Sequence, residues 1–248
     1  MRARCSLLPR LLFVILAGIS GVSMADPLTG DRIVQRADAI LNPVGTHRSL
    51  NRLLILRDQD ARREYKMRTL RRGNARMLVT FLEPRRMHGQ ILLRKGENQW
   101  LYFPKLKRTL KVPRRQALAG SDFSYGDILN IDLTADYSAA LTDESVFQGQ
   151  PAYVLKLTAT RPEATYDSIS YEVRQSDHAP LRRAFFTKSG KKLKTLEFRD
   201  HDEALLPRLW IMKSALWKDS ETHLIVESMD TVANVPDSAF SLQALRRQ

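Results

Sequence analysis

The sequence predicts a mainly β protein of the α+β type, built on one strongly curved antiparallel sheet of about eleven strands with a helical lid. Three observations predict it. Short β-like runs follow one another between turn residues, helical spacing is confined to one segment near the N-terminus, and no strand-helix-strand rhythm or fixed-period repeat occurs. The chain has 248 residues, 43% of them hydrophobic, which is enough to bury a core without metals or disulfides.

The first 25 residues have the three parts of an export signal. These parts are a basic start with Arg2, Arg4 and Arg10, an apolar stretch at residues 11–17, and a small-x-small site at Ser23-Met24-Ala25. The apolar stretch is well short of the about 20 residues that span a bilayer, so we expect cleavage rather than anchoring. Residues 1–25 are therefore predicted to be a signal peptide, and residues 26–248 a single domain.

The predicted mature chain has no cysteine, because Cys5 lies within the signal, and it has no Asn-x-Ser/Thr acceptor. Exported eukaryotic domains tend to carry disulfides and glycosylation acceptors. The sequence therefore favours the bacterial periplasm as the location, and we expect no nucleic-acid partner.

One helix is predicted near the start of the mature chain. Thr29 can cap it, and Asn42-Pro43 ends it. Its apolar residues at helical spacing are Ile33, Val34, Ala37, Ile40 and Leu41.

The strands are predicted from β-like runs and from the turn residues between them. In the first half they are residues 53–56, 65–70, 77–82, 90–93, 99–103 and 107–112. In the second half they are residues 153–158, 168–174, 182–188, 191–199, 209–217 and 223–232. Ser189-Gly190 is expected to join two of them as a hairpin.

Two segments break the strand pattern. Residues 116–132 are too polar and irregular for a strand, and Gly120-Ser121-Asp122 can open a short helix there. We expect this segment to be a lid. The tail from residue 236 onward, with Phe240, Leu242 and Leu245 as its apolar anchors, is expected to close the fold.

Positive charge is concentrated in one part of the chain. The formal net charge is +13, and residues 57–115 carry 18 Lys and Arg against five acids, whereas residues 116–170 carry eight acids against two basic residues. Such a patch suits anionic lipid head groups. The alternative is a set of solvated strand faces on which Lys and Arg protect sheet edges from aggregation.

Signatures of catalysis are weak, and we expect no enzyme, no cofactor and no metal site. The five His residues lack metal-ligand spacing, and Gly120-Ser121-Asp122 is not a nucleophile elbow. Asp122, Asp127, Asp132 and Asp136 can supply a pair of catalytic carboxylates. Acids in such a segment more often accept from backbone N–H groups at helix starts.

Apolar residues occupy both faces of three predicted strands, at residues 77–82, 99–103 and 209–217. A sheet that faces water on one side does not need this, so both faces must be covered. One alternative is a plain core beneath the helix and the lid. The other is a cavity for a lipid chain, which the adaptable side chains of Met67, Met77, Met87 and Met212 would suit.

Two motifs carry a family resemblance. The run Trp100-Leu101-Tyr102-Phe103-Pro104 is followed by Lys107-Arg108, and the run Gly120-Ser121-Asp122-Phe123-Ser124-Tyr125-Gly126-Asp127-Ile128 is the more specific of the two. With these the chain resembles the LolA-like outer membrane lipoprotein-sorting protein family over nearly all of its mature length. The resemblance implies an eleven-stranded half-barrel closed by helices over an apolar cavity, in the periplasm, carrying lipid or the acyl chains of lipoproteins. It also implies an association with RND-type lipid exporters.

Candidate site residues follow from the aromatic, methionine and basic residues of these segments. The candidates for binding the lipid chain are Trp100, Tyr102, Phe103, Phe123, Tyr125, Trp210 and Met212. The candidates for contact with a head group or an anionic membrane surface are Arg85, Arg86, Lys105, Lys107 and Arg108. The main alternative to a carrier is a periplasmic adaptor of an RND-type exporter that has no ligand of its own.

Overall fold

A computed structural model describes residues 28–57, 61–129, 132–217 and 219–245, so the predicted signal peptide at residues 1–25 lies outside the described residues. The helices are α1 (Gly30–Leu41), α2 (Tyr125–Ile128), α3 (Leu133–Asp136) and α4 (Leu242–Leu245). The strands are β1 (Thr46–Arg57), β2 (Ala61–Arg72), β3 (Arg76–Glu83), β4 (Ile91–Lys95), β5 (Asn98–Phe103), β6 (Arg108–Lys111), β7 (Tyr137–Phe147), β8 (Gln150–Ala159), β9 (Ser168–Arg174), β10 (Pro180–Phe186), β11 (Lys192–His201), β12 (Pro207–Ser214) and β13 (Ser220–Thr231).

Within these residues all strands form one antiparallel sheet, in the order β6-β5-β4-β3-β2-β1-β13-β12-β11-β10-β9-β8-β7. It consists of two meanders joined by the pairing of β1 with β13, in which Arg57 lies opposite Ser220. The predicted curved antiparallel sheet is confirmed, with 13 strands instead of about eleven. Strand β7 was not predicted, because it lies at a sheet edge and its mostly exposed, polar residues lack an apolar alternation.

Helix α1 crosses the concave face of the sheet. Thr29 caps it, as predicted, by accepting from the backbone N–H of Arg32 at 3.3 Å. A side chain at Gly30 would place its Cβ 2.5 Å from the carbonyl oxygen of Ala139, so only glycine permits this approach to β7. The C-terminal end is held by the half-buried Arg71, which donates to the Asn42 side chain at 2.5 Å.

Both faces of the first half of the sheet are covered. The main core lies on the concave face, beneath α1 and the segment after β6, and it includes Val79, Phe81, Leu101, Phe198 and Met212. On the convex face, Leu78, Ile91, Leu93, Tyr102, Phe240 and Leu245 form a second cluster. The C-terminal segment therefore closes the fold over the outer face of β3 to β5.

Residues 112–129 and 132–136, here called the lid segment, connect β6 to β7 across the sheet. They contain the two single-turn helices α2 and α3. No helix among the described residues is long and apolar enough to cross a membrane.

Candidate functional site

The concave interior contains a small cavity of about 80 Å³. The apolar part of its lining includes Met67, Met77, Ile128, Trp210, Leu224 and Val226, and the polar part includes His47, Asn51, Arg71 and Asp127. Liquid water occupies about 30 Å³ per molecule, so this cavity has room for two or three waters and not for an acyl chain. Side chains therefore fill most of the concave interior.

Five of the seven predicted lipid-binding residues lie in this interior. Phe123 and Met212 are fully buried, and Tyr125 is almost so. Phe103 and Trp210 pack against the same core, and the Trp210 ring meets Phe198 edge-on with centroids 5.0 Å apart.

The other two predicted residues lie on the opposite face of β5. Side chains alternate along a strand, so Trp100 and Tyr102 point outward where Leu101 and Phe103 point inward. Tyr102 is packed in the cluster that the C-terminal segment covers, and Trp100 packs against it. The structure therefore separates these two residues from the concave interior.

Asp122 ties the lid segment to the ends of β1 and β13. Its carboxylate accepts from the hydroxyls of Ser220 at 2.5 Å and Thr222 at 2.7 Å. Arg57 Nη1 lies 3.4 Å from the same carboxylate, and Arg57 Nη2 donates to the carbonyl of Gly120 at 3.0 Å. These contacts fix the loop before α2 on the sheet.

Asp127 is the second tether of the lid segment. It forms a capping box with Ser124, whose backbone N–H and hydroxyl both donate to Asp127 Oδ2. The Tyr166 hydroxyl donates to Asp127 Oδ1 at 2.8 Å, and Lys194 Nζ lies 2.6 Å from Oδ2. Burial, together with the charge of Asp127, raises the pKa of Tyr166 well above its usual value of 10, so this phenol stays protonated and donates.

The remaining two acids are also engaged structurally. Asp132 caps α3 by accepting from the backbone N–H of Ala135 at 3.1 Å. Asp136 lies 3.1 Å from Arg114 Nη1 and 3.8 Å from Arg161 Nη1. The capping role that the sequence favoured for these aspartates is confirmed for Asp127 and Asp132.

A charged group from α1 is buried against the far half of the sheet. Burial raises the pKa of Asp38, and the Arg183 charge partly offsets this effect. Arg183 lies 4.3 Å from the centroid of the Tyr171 ring and donates to the Tyr171 hydroxyl at 3.0 Å. Polar groups therefore interrupt the apolar interior beneath α1.

A larger, polar pocket of about 580 Å³ opens where the lid segment meets the ends of β1, β11, β12 and β13. It is lined by Arg57, Arg115, Ala117, Gly120, Ser121, Asp122, Ser124, Lys194, Ser214, Trp217, Asp219 and Ser220. Sequence reasoning singled out neither Arg57 nor Lys194. The only available signal was alternation along β11, which puts Lys194 on the same face as the buried Leu196 and Phe198.

The predicted head-group residues lie at one end of the sheet. Strand register brings together there the loop at 84–90, the turns at 104–107 and 187–191, and residues 215–217 and 219, and we call this end the rim. Arg85, Arg86, Lys105, Lys107 and Arg108 are all exposed on it. So are the apolar side chains of Leu106, Leu216 and Trp217, which are 60% or more exposed.

Comparisons with known proteins agree on one fold. A family model described as an uncharacterized protein matches residues 73–247. A LolA superfamily protein from Nitrosomonas europaea is 27% identical with a TM-score of 0.79, over 87% of this chain and 98% of that one. An outer membrane lipoprotein-sorting protein domain from Vibrio parahaemolyticus is 22% identical with a TM-score of 0.77, over 88% and 98%.

A DUF1329 family protein from Desulfovibrio piger is also similar, with 19% identity and a TM-score of 0.77 over 87% of this chain and 97% of that one. No curated protein matches the chain significantly in sequence.

Proposed function

The chain belongs to the LolA-like family of outer membrane lipoprotein-sorting proteins, and from this premise we propose that it is a periplasmic carrier for the acyl chain of a lipid or lipoprotein. The acyl chain would lie between the concave face of the sheet and its cover. The periplasmic location is supported by the signal peptide predicted at residues 1–25.

The observation that carries the proposal is the way in which the apolar concave face is covered. Its cover is not a second sheet but α1 and the lid segment, in which the helices α2 and α3 have four residues each. The lid segment is tethered by polar contacts at Asp122 and Asp127. Such a cover can move without breaking the strand pairing beneath it.

The small cavity determines how loading must occur. At about 80 Å³ it cannot hold an acyl chain, so binding requires the lid segment or α1 to move away from the sheet. Burying a chain contributes about 0.8 kcal/mol per CH₂. A chain of about 16 carbons thus supplies on the order of 10 kcal/mol to offset the lost core contacts and the cost of association.

The closed interior also favours a second candidate function. A protein whose concave face is already filled can act as an adaptor of an RND-type exporter without a ligand of its own. The two functions differ in what the purified protein contains and in what it takes up.

The test combines extraction with titration. Native mass spectrometry before and after organic extraction should reveal a bound lipid, and the delipidated protein should bind a fluorescent fatty acid saturably. Val226→Trp should weaken this binding, because the added ring fills the cavity. Ile225→Trp is the matched control, since Ile225 is the neighbour on the same strand and points to the other face. A delipidated protein that binds no fatty acid would exclude the carrier and leave the adaptor.

A further inference from the structure

The polar pocket is a second compartment at the mouth of the concave interior. At about 580 Å³ it is roughly seven times larger than the cavity of the concave interior. A volume of about 580 Å³ is in the size range of small-molecule sites. The polar pocket shares Arg115, Lys194 and Ser214 with a neighbouring pocket of about 250 Å³ beside Leu216. The two pockets therefore lie side by side along the rim.

The lining of the polar pocket carries three cationic side chains against two carboxylates. Two of the cations already have close acidic partners, because Arg57 pairs with Asp122 and Lys194 with Asp127. Arg115 differs from them. Its guanidinium lies 4.0 Å from Asp167, and its side chain is 62% exposed.

This arrangement suits a phosphoryl group. Besides its long ion pair with Asp167, Arg115 Nη2 donates to the Ala164 carbonyl at 3.2 Å. A phosphate that approaches the remaining N–H groups of the guanidinium gains a charge-assisted contact. The Ser214 hydroxyl accepts from the Leu216 backbone N–H at 3.1 Å and can still donate its own proton. The pocket can therefore offer both a charge and a hydroxyl donor to phosphate oxygens.

The same pocket borders the apolar interior. The ammonium group of Lys194 lies 5.2 Å from the centroid of the Tyr166 ring and 5.9 Å from that of Phe185, and both rings belong to the main core. On the outer side, Trp217 lines the pocket and is largely exposed. Tryptophan favours the head-group level of a membrane interface.

We propose that the pocket lined by Arg57, Arg115, Lys194 and Ser214 binds the phosphoryl head group of a phospholipid whose acyl chain occupies the concave interior. The inference rests on the carrier function proposed above. It adds that the cargo is selected by its phosphate at the rim, and it makes Arg115 the main determinant of that selection.

The test compares two short-chain lipids below their micelle concentrations by isothermal titration calorimetry. The delipidated protein should bind dioctanoyl phosphatidylglycerol at least tenfold more tightly than dioctanoylglycerol, which lacks the phosphate. Arg115→Glu should remove this preference, so that the variant binds the two lipids with equal affinity. Arg85→Glu makes the same change of charge at an exposed rim residue outside the pocket lining, and it should preserve the preference.

Three results would overturn the inference in distinguishable ways. Equal affinity for the two lipids would show that the head group is not read, with the carrier function intact. Glycerol 3-phosphate or inorganic phosphate binding as tightly as the phospholipid would make the pocket a site for a free anion. Binding of neither lipid would remove the carrier function and the inference together.

Discussion

The ammonium group of Lys194 on β11 lies 2.6 Å from the carboxylate of Asp127 on the lid segment, across 67 residues of sequence. The carboxylate is buried and the lysine nearly so. Lys194 also donates to the backbone carbonyl of Asp122 at 3.1 Å. One lysine therefore contacts both tethers of the lid segment.

Replacing Lys194 with methionine should destabilise the protein by about 3 kcal/mol, because it leaves the Asp127 carboxylate buried without its counter-ion. Urea unfolding measures the loss. Lys192→Met, at an exposed position on the same strand, should change the free energy of unfolding by less than about 0.5 kcal/mol. If the two variants have equal stability, the pair does not hold the lid segment.

The rim should bind anionic vesicles electrostatically. Lys105→Gln with Arg108→Gln removes two exposed charges next to the exposed Leu106. At about 1 kcal/mol for each basic residue near the surface, this should weaken binding by about 30-fold. Binding of the wild type should also fall as salt rises, because exposed charges are screened.

A matched control for the rim is available at the other strand ends. Arg48 and Lys95 match Arg108 and Lys105 in residue type. Both are exposed and distant from the rim. Arg48→Gln with Lys95→Gln should bind vesicles as the wild type does. Equal weakening by both pairs of substitutions would mean that only net charge matters.

The C-terminal segment should contribute strongly to stability through Phe240. This ring is fully buried over the convex face, and Arg72 lies 5.4 Å from its centroid. Phe240→Ala should cost about 3–5 kcal/mol of unfolding free energy, as for other large core truncations. Gln243→Ala, at an exposed position of the same segment, should cost almost nothing. A small effect of Phe240→Ala would mean that the segment is not part of the folded core.

Mild acid should destabilise the protein through His201. Burial lowers the pKa of His201 below its usual 6.5 and outweighs the hydrogen bond between Nε2 and the Pro180 carbonyl at 2.8 Å, which raises the pKa. As the pH falls, the His201 ring of the unfolded chain therefore becomes protonated before that of the folded protein. Stability due to the neutral ring is complete above pH 6.5 and is lost as the pH falls through the folded-state value.

His201→Gln keeps an amide donor for the Pro180 carbonyl and removes the titrating ring. Urea unfolding between pH 7 and pH 5 should show a shallower loss of stability in this variant than in the wild type. Identical slopes would show that another group governs the acid response.

Sequence patterns were sufficient to predict those elements whose residues interact with near neighbours in the chain. The spacing of Ile33, Val34 and Ala37 predicted α1, and Ser189-Gly190 predicted the β10–β11 hairpin, because each depends on neighbours in the chain. The edge strand β7 escaped prediction, because solvent on its outer side removes the alternation that marks a strand.

The candidate site was harder to predict. Period-two alternation separates Trp100 and Tyr102 from Leu101 and Phe103, but it does not say which pair faces inward when both faces are covered. The partners of Asp127 are also remote in sequence, so a lysine in a strand gave no sign of its role.

Trp210 allows the most direct test of an acyl chain on the concave face. The chain has three tryptophans, and Trp100→Phe with Trp217→Phe leaves Trp210, which lines the cavity, as the only one. Bromine atoms quench tryptophan fluorescence on contact, so a brominated fatty acid should quench Trp210 saturably where the unbrominated acid does not. If the brominated acid binds this variant and leaves Trp210 unquenched, the acyl chain lies elsewhere and the carrier account is contradicted.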